Sequence, residues 1–204
     1  MFITVEGLRG AGKSTITELL ADILDAAWMP TVPIGFGRDG SHFTTAAQLN
    51  QRFSYCMSAT TIAASRIGRV LDRGHDVVAE SYFPWTIAHH RGIGATLNVP
   101  IPPYTPTPDA TFYLGCEEPE RQRRLATRRR TPSPWDQSTE NHLAEINQEY
   151  NQFPAHVIDT THFRPVHVLQ QILHHPLDGG CRCANPPPPT KIPDLVFAIH
   201  HRKR

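Results

Sequence analysis

The sequence predicts an α/β fold, a five-stranded parallel sheet flanked by helices, on three observations. The chain opens with a strand, a glycine-rich loop and an amphipathic helix, in that order. Short β-rich runs then alternate with segments of helical period as far as about residue 175, and that alternation implies a parallel sheet with right-handed crossovers. Past Pro176 the composition changes to a Pro/Gly-rich stretch with four consecutive prolines, 186–189, which cannot build a core. One domain over residues 1–175 and a tail over 176–204 are therefore expected, since a chain of 204 residues suits one core with an appendage.

Phe2, Ile3 and Val5 make the first strand, a short apolar run of β-formers. Gly7-Leu8-Arg9-Gly10-Ala11-Gly12-Lys13-Ser14 follows and fits G-x-x-x-x-G-K-[ST], the P-loop pattern. Ile16, Leu19, Leu20, Ile23 and Leu24 then recur at helical spacing, and Pro30 is expected to stop that helix near Met29. Thr31–Ile34 reads as a second strand, and Gly35-Phe36-Gly37-Arg38-Asp39-Gly40 as a loop carrying one cation and one anion. A long helix is expected from Thr44 to Asp72, with Gly74 as its stop signal. His75–Glu80 reads as the third strand, delivering a carboxylate at its C-terminal end, the edge where open α/β sheets seat ligands.

Residues 92–108 hold too many glycines and prolines for regular structure. Thr111–Leu114 reads as the fourth strand, and a helix begins at Pro119, carrying Arg121, Arg123, Arg124, Arg128, Arg129 and Arg130. Thr131-Pro132-Ser133-Pro134 breaks it; Leu143, Ile146, Tyr150 and Phe153 mark a further amphipathic helix. His156–Asp159 is the fifth strand and Val166–Leu173 the closing helix.

Composition excludes several classes of function. Formal charge is +1, so no global field favours nucleic acid or a membrane surface. No apolar run reaches membrane-spanning length, and a strand starting at residue 2 leaves no room for a leader. Four scattered cysteines make no disulfide framework. A cytoplasmic enzyme is expected. Lys13 is the sole lysine in the first 190 positions, the other basic residues there being arginines.

The loop's residue types explain themselves. Gly7, Gly10 and Gly12 let the backbone curl with its N–H groups toward a phosphate, and the helix N-terminus adds partial positive charge. Arg9, Ala11 and Thr15 belong to the same cradle; Lys13 can neutralise β/γ-phosphate oxygens and Ser14 can ligate Mg²⁺. ATP and Mg²⁺ are thus the expected donor and cofactor.

With these segments in place the chain resembles the thymidylate kinase family of P-loop nucleoside-monophosphate kinases. The resemblance is carried by Phe2–Gly7 through Ser14-Thr15, by Ala63-Ala64-Ser65-Arg66, by Pro108–Leu114, and by the Arg-rich segment running into Asn141–Phe153 and Val157-Ile158-Asp159. It covers about residues 1–174 and implies a five-stranded sheet of P-loop NTPase type, an Arg-bearing lid at about 124–138, ATP-Mg²⁺ as donor and a nucleoside monophosphate as acceptor. The departures lie on the acceptor side. The family's P-loop usually carries an acidic residue where this chain has Arg9. Its third strand ends in Asp-Arg and then an aromatic or His, where this chain has Glu80-Ser81-Tyr82. Its base-stacking aromatic, one turn before the arginine matched to Arg66, is Ile62 here.

Phosphoryl transfer needs positioning and charge neutralisation more than covalent help. Lys13, Arg128 and Arg129 are the candidate charge-neutralising residues, with Glu80 as a Mg²⁺ ligand or, for an alcohol acceptor, a base. Arg38 and Arg66 are candidates for the acceptor phosphate, Asp39 for a sugar hydroxyl, and Tyr82, Phe83 or Trp85 for stacking on a base or for the core. Each has a bland alternative: a solvated helix face for the arginines, an exposed loop cation for Arg38, a strand-end salt bridge for Glu80. Cys181-Arg182-Cys183 near His174-His175 matches no zinc pattern, and His89-His90 and His200-His201 read as surface residues. Three functions stay open: a kinase acting on a nucleotide, a kinase acting on a hydroxyl of a nucleoside or small metabolite, and a nucleotide-binding protein without catalysis. Oligomeric state stays open too, a homodimer included.

Overall fold

The computed structural model describes residues 1–30, 48–128 and 131–175. Five strands form one parallel sheet: β1 (Phe2–Gly7), β2 (Ala27–Pro30), β3 (Val77–Glu80), β4 (Ala110–Gly115) and β5 (His156–Asp159), in the order β2-β3-β1-β4-β5. Phe2 faces Val77 and Ile3 faces Ala110 across β1, so the central strand is paired on both sides and wholly buried. Its unbroken burial is what a parallel strand covered on both faces requires.

Seven helices are described: α1 (Lys13–Leu24), α2 (Leu49–Leu71), α3 (Phe83–Gly92), α4 (Glu118–Ala126), α5 (Pro134–Glu140), α6 (Leu143–Tyr150) and α7 (Pro165–Leu173). Helices α1 and α7 cover one face, where Ile16, Leu20, Val168 and Ile172 pack on Ile3, Val5, Phe112 and Leu114. On the other, α2 and α3 bring Phe53, Met57, Phe83 and Ile87 against Phe2, Val77 and Ala79. Helix α6 lies on α3 through Ile146 and Tyr150, with Leu8 and Ala88 in the same cluster. At Gly92 a Cβ would lie 2.6 Å from the Ile146 side chain, so only glycine permits this approach.

Several boundaries depart from expectation, each for a local reason. Helix α1 ends at Leu24, not near Met29, because Asp25 turns left-handed and its N–H bonds to the Ala21 carbonyl. The second strand is therefore Ala27–Pro30, ahead of the expected Thr31–Ile34, which lies outside the described residues. Trp28 is held there by its indole N–H on Thr17 Oγ1 (3.2 Å), and Pro30 is tolerated because β2 is an edge strand. The long helix is described from Leu49; its expected start at Thr44 is not among the described residues.

Two helices were not expected. Helix α3 begins right after the third strand, where apolar residues surround it on all sides and leave no amphipathic stripe. Helix α5 is announced only by its cap: Ser133 Oγ accepts the Asp136 N–H and Asp136 returns a bond to the Ser133 N–H, a capping box in the expected chain break. The tail 176–204, with Cys181 and Cys183, lies outside the described residues. Among the described residues no helix is long and apolar enough to cross a membrane.

Candidate active site

The C-terminal ends of β1 and β3 bring the P-loop and Glu80 together. Gly7 has φ 137°, and a Cβ there would lie 2.6 Å from the Leu114 carbonyl oxygen of β4, so the loop can leave the sheet at this point only through glycine. Lys13 folds back over its own loop, Nζ donating to the carbonyls of Gly7 (2.8 Å) and Leu8 (3.1 Å). Ser14 Oγ donates to Glu80 Oε1 at 2.8 Å. A hydroxyl and a carboxylate are thus paired at the sheet edge, two hard oxygen donors of the kind Mg²⁺ selects.

Two cavities open from this point. One, of about 300 Å³, is lined by Lys13, Ser14, Glu80 and Ser81 together with Arg9, Arg52, Arg128, Trp85, Trp135, His89 and Asp136. The other, of about 580 Å³, runs past Thr15 to Arg124, Arg128 and the loop after β5, Thr160 to Arg164. Gly10, Gly12 and Arg128 line both.

The expected site residues divide accordingly. Gly10, Ala11, Gly12, Lys13, Ser14, Thr15, Glu80 and Arg128 gather around the two cavities. Arg38, Asp39 and Arg129 lie outside the described residues. Arg66 does not join them: it is exposed on α2, 14 residues and so about 21 Å along the helix from Arg52, the α2 cation that does line the smaller cavity. Tyr82 is not a stacking surface. It is 4% exposed, lies edge-on to Phe2 and Phe83, and donates its hydroxyl to the Pro106 carbonyl (3.1 Å). Arg9 turns to α5 and pairs with Asp136 at 2.9 Å. From the other side Arg121, 1% exposed, donates to the Arg9 carbonyl (2.9 Å) and pairs with Glu140. The two ends of α5 are thereby fastened to the P-loop.

Sequence reasoning missed Arg52, Trp135, Glu6 and the histidines. Arg52 stacks its guanidinium 3.9 Å from the Trp135 ring centre, a contact between residues 83 positions apart that no local pattern announces. His89 and His90, read as surface residues, are 2% and 0% exposed. They occupy the inner side of α3, His89 beside Trp85 and Tyr150, His90 between Phe53 and Trp135. Burial pushes both imidazoles down to about 3, with Lys13 adding to the effect at His89 and Arg52 at His90. Glu6 immediately precedes Gly7, and its carboxyl is pushed up to about 7 by burial. The Tyr82 N–H (2.7 Å), Lys13 and the Tyr150 hydroxyl only partly offset that rise. Desolvation likewise lowers the Lys13 ammonium, against the attraction of Glu80 and Glu6.

The sequence model of the thymidylate kinase family matches residues 5–170 of this chain. The chain belongs to the thymidylate kinase family. The thymidylate kinase of Xanthomonas euvesicatoria pv. vesicatoria (strain 85-10) is 27% identical over 150 residues, a match spanning 67% of this chain and 65% of that protein. That of X. campestris pv. campestris (strain B100) is 26% identical over 178 residues, covering 79% and 76%. Among solved structures, Candida albicans thymidylate kinase superposes with a TM-score of 0.67 at 15% identity, over 84% of this chain and 88% of that one. M. mycoides deoxyadenosine kinase with bound dATP gives 0.61 at 15% identity, over 85% and 97%, and both show the shared fold.

Proposed function

We propose that the protein transfers the terminal phosphoryl group of ATP to a nucleotide acceptor, a nucleoside monophosphate in the first place. The observation that carries the reading is the charge of the smaller cavity, where Arg9, Lys13, Arg52 and Arg128 stand against Glu80 and Asp136. An excess of cations suits an acceptor that is itself an anion brought against a triphosphate. The larger cavity, reached past Thr15, suits the donor's nucleoside, and the residues common to both cavities suit the group that passes between them.

Lys13 leaves the Gly7 and Leu8 carbonyls to meet the donor phosphates, and the loop amides hold the chain of phosphates in line. Arg128 neutralises charge that develops on the transferred group, a role worth about 10³-fold or more in rate for a well-placed arginine. Ser14 and Glu80 would hold Mg²⁺, which when bound draws charge from the β- and γ-oxygens. Arg52 is held by Trp135 as a planar donor for the acceptor phosphate, and Trp85 offers an aromatic face to the base. Arg38, Asp39 and Arg129 remain candidates for the same work, while Arg66 is withdrawn from it.

The second reading has an observation of its own. No cation follows Glu80, and a carboxylate at the reacting end can serve as a base toward an alcohol. ADP release from ATP-Mg²⁺ with deoxynucleoside monophosphates and, separately, the free nucleosides tells the two apart. Turnover with monophosphates alone is expected. Turnover with nucleosides alone supports the second reading, and ATP binding without turnover supports a binding protein. We place the enzyme in the cytoplasm, working without nucleic acid or membrane, and a homodimer fits this reading.

A further inference from the structure

The residue after Glu80 is strained. Ser81 has φ 65°, in the left-handed region, which one other non-glycine among the described residues shares: Asp25, whose conformation closes α1. Ser81 closes no helix. Its N–H donates to the Val5 carbonyl (3.0 Å), and the next N–H, that of Tyr82, to Glu6 Oε1 (2.7 Å). The corner is thus tied to β1 at two successive residues. Such strain persists where surroundings impose it, and it concentrates at ligand sites.

A second observation is independent of the first. Ser81 is 2% exposed and its Oγ has no hydrogen-bond partner among the described residues. A buried hydroxyl left alone loses its water without compensation, so native structures rarely keep one. Ser81 also lines the cavity shared by Lys13, Ser14, Glu80 and Arg52. It adjoins the carboxylate that receives the Ser14 hydroxyl, which puts it on the P-loop side of that cavity.

We propose that the acceptor completes Ser81: its hydroxyl donates to an anionic oxygen of the acceptor's phosphate and so separates a phosphomonoester from the free alcohol. The assignment rests on the phosphate-accepting reading above. A hydroxyl among cations finds its best partner in an anion, and a bond to a charged group is stronger than one to a neutral group.

Calorimetric titration of wild type, Ser81→Gly and Ser81→Ala with the four deoxynucleoside 5′-monophosphates and their nucleosides tests it. Both variants lose the hydroxyl, but glycine adopts the backbone angle without strain, so Ser81→Gly folds and melts higher than wild type. Expected is a loss of about tenfold or more in affinity for the preferred monophosphate in both variants, with nucleoside affinity unchanged. Wild-type affinity in Ser81→Gly, or equal losses for monophosphate and nucleoside, overturns the assignment alone. A wild-type protein that binds no monophosphate overturns the functional reading and the assignment with it.

Discussion

Lys13 and Glu80 do different work and should fail differently. Lys13→Ala removes the ammonium of the glycine cradle, so turnover should be abolished in an ADP-release assay; near-normal kinetics would remove the donor assignment. Glu80→Gln keeps the hydrogen bond from Ser14 but not the charge. Its kcat should fall by about 10²-fold or more while KM changes little. An unchanged kcat would return Glu80 to a purely structural role. At this scale the P-loop was legible because its chemistry is compressed into eight consecutive residues. Arg52 was not, because only the fold brings Trp135, far along the chain, over its guanidinium. Tyr82 misled for a related reason: an aromatic beside a carboxylate reads as a binding surface until the Phe2 and Phe83 rings are seen to enclose it.

Elements are held to one another at a few tight points. The Cβ of Gly92→Ala would meet the backbone of Ile146 at 2.7 Å, which a rotamer change cannot relieve. The substitution should cost about 1–3 kcal/mol in urea unfolding through separation of α3 and α6. The Arg9–Asp136 pair, 19% and 9% exposed at its side chains, is shielded enough to matter. A double-mutant cycle with Arg9→Met and Asp136→Asn should return a coupling of about 0.5–3 kcal/mol, and additivity would mean that this pair does not help to hold α5. Four strands and the long helix were readable from period and from glycine stops, whereas the second strand lies ahead of its expected place. Helix α5 was not, since seven residues are too few for a period and its announcing cap sat inside a segment dominated by prolines.

The molecule as a whole should respond to pH through its buried titratable groups. Glu6 keeps its proton up to about 7 when folded, while the unfolded chain releases it near 4.5, so its contribution to stability is lost as pH rises through that interval. The two histidines act in the opposite sense. Unfolded they take up protons below about 6.5, but folded only near 3, so stability is lost as pH falls. Each group tilts stability by up to about 1.4 kcal/mol per pH unit where the two states differ. Urea midpoints should therefore peak near pH 6.5, and Glu6→Gln should flatten the alkaline limb and steepen the acid limb above about pH 4.5, where Glu6 opposes the histidines. A peak below pH 5 would contradict the burial of the histidines. None of this was visible in the chain, where Glu6 is one letter in a strand and His89-His90 resembles a surface pair; alternation of strands and helices reveals the sheet but not which polar groups it encloses.

Gly10, Gly12 and Arg128 line both cavities, so the two meet at the P-loop. A single molecule that tethers adenosine to a second nucleoside through a polyphosphate bridge should therefore occupy both at once. Its second half would bind at a millimolar effective concentration set by the bridge, so the linked compound should inhibit far more strongly than either half alone, with the optimum length of its bridge measuring the path of the transferred group.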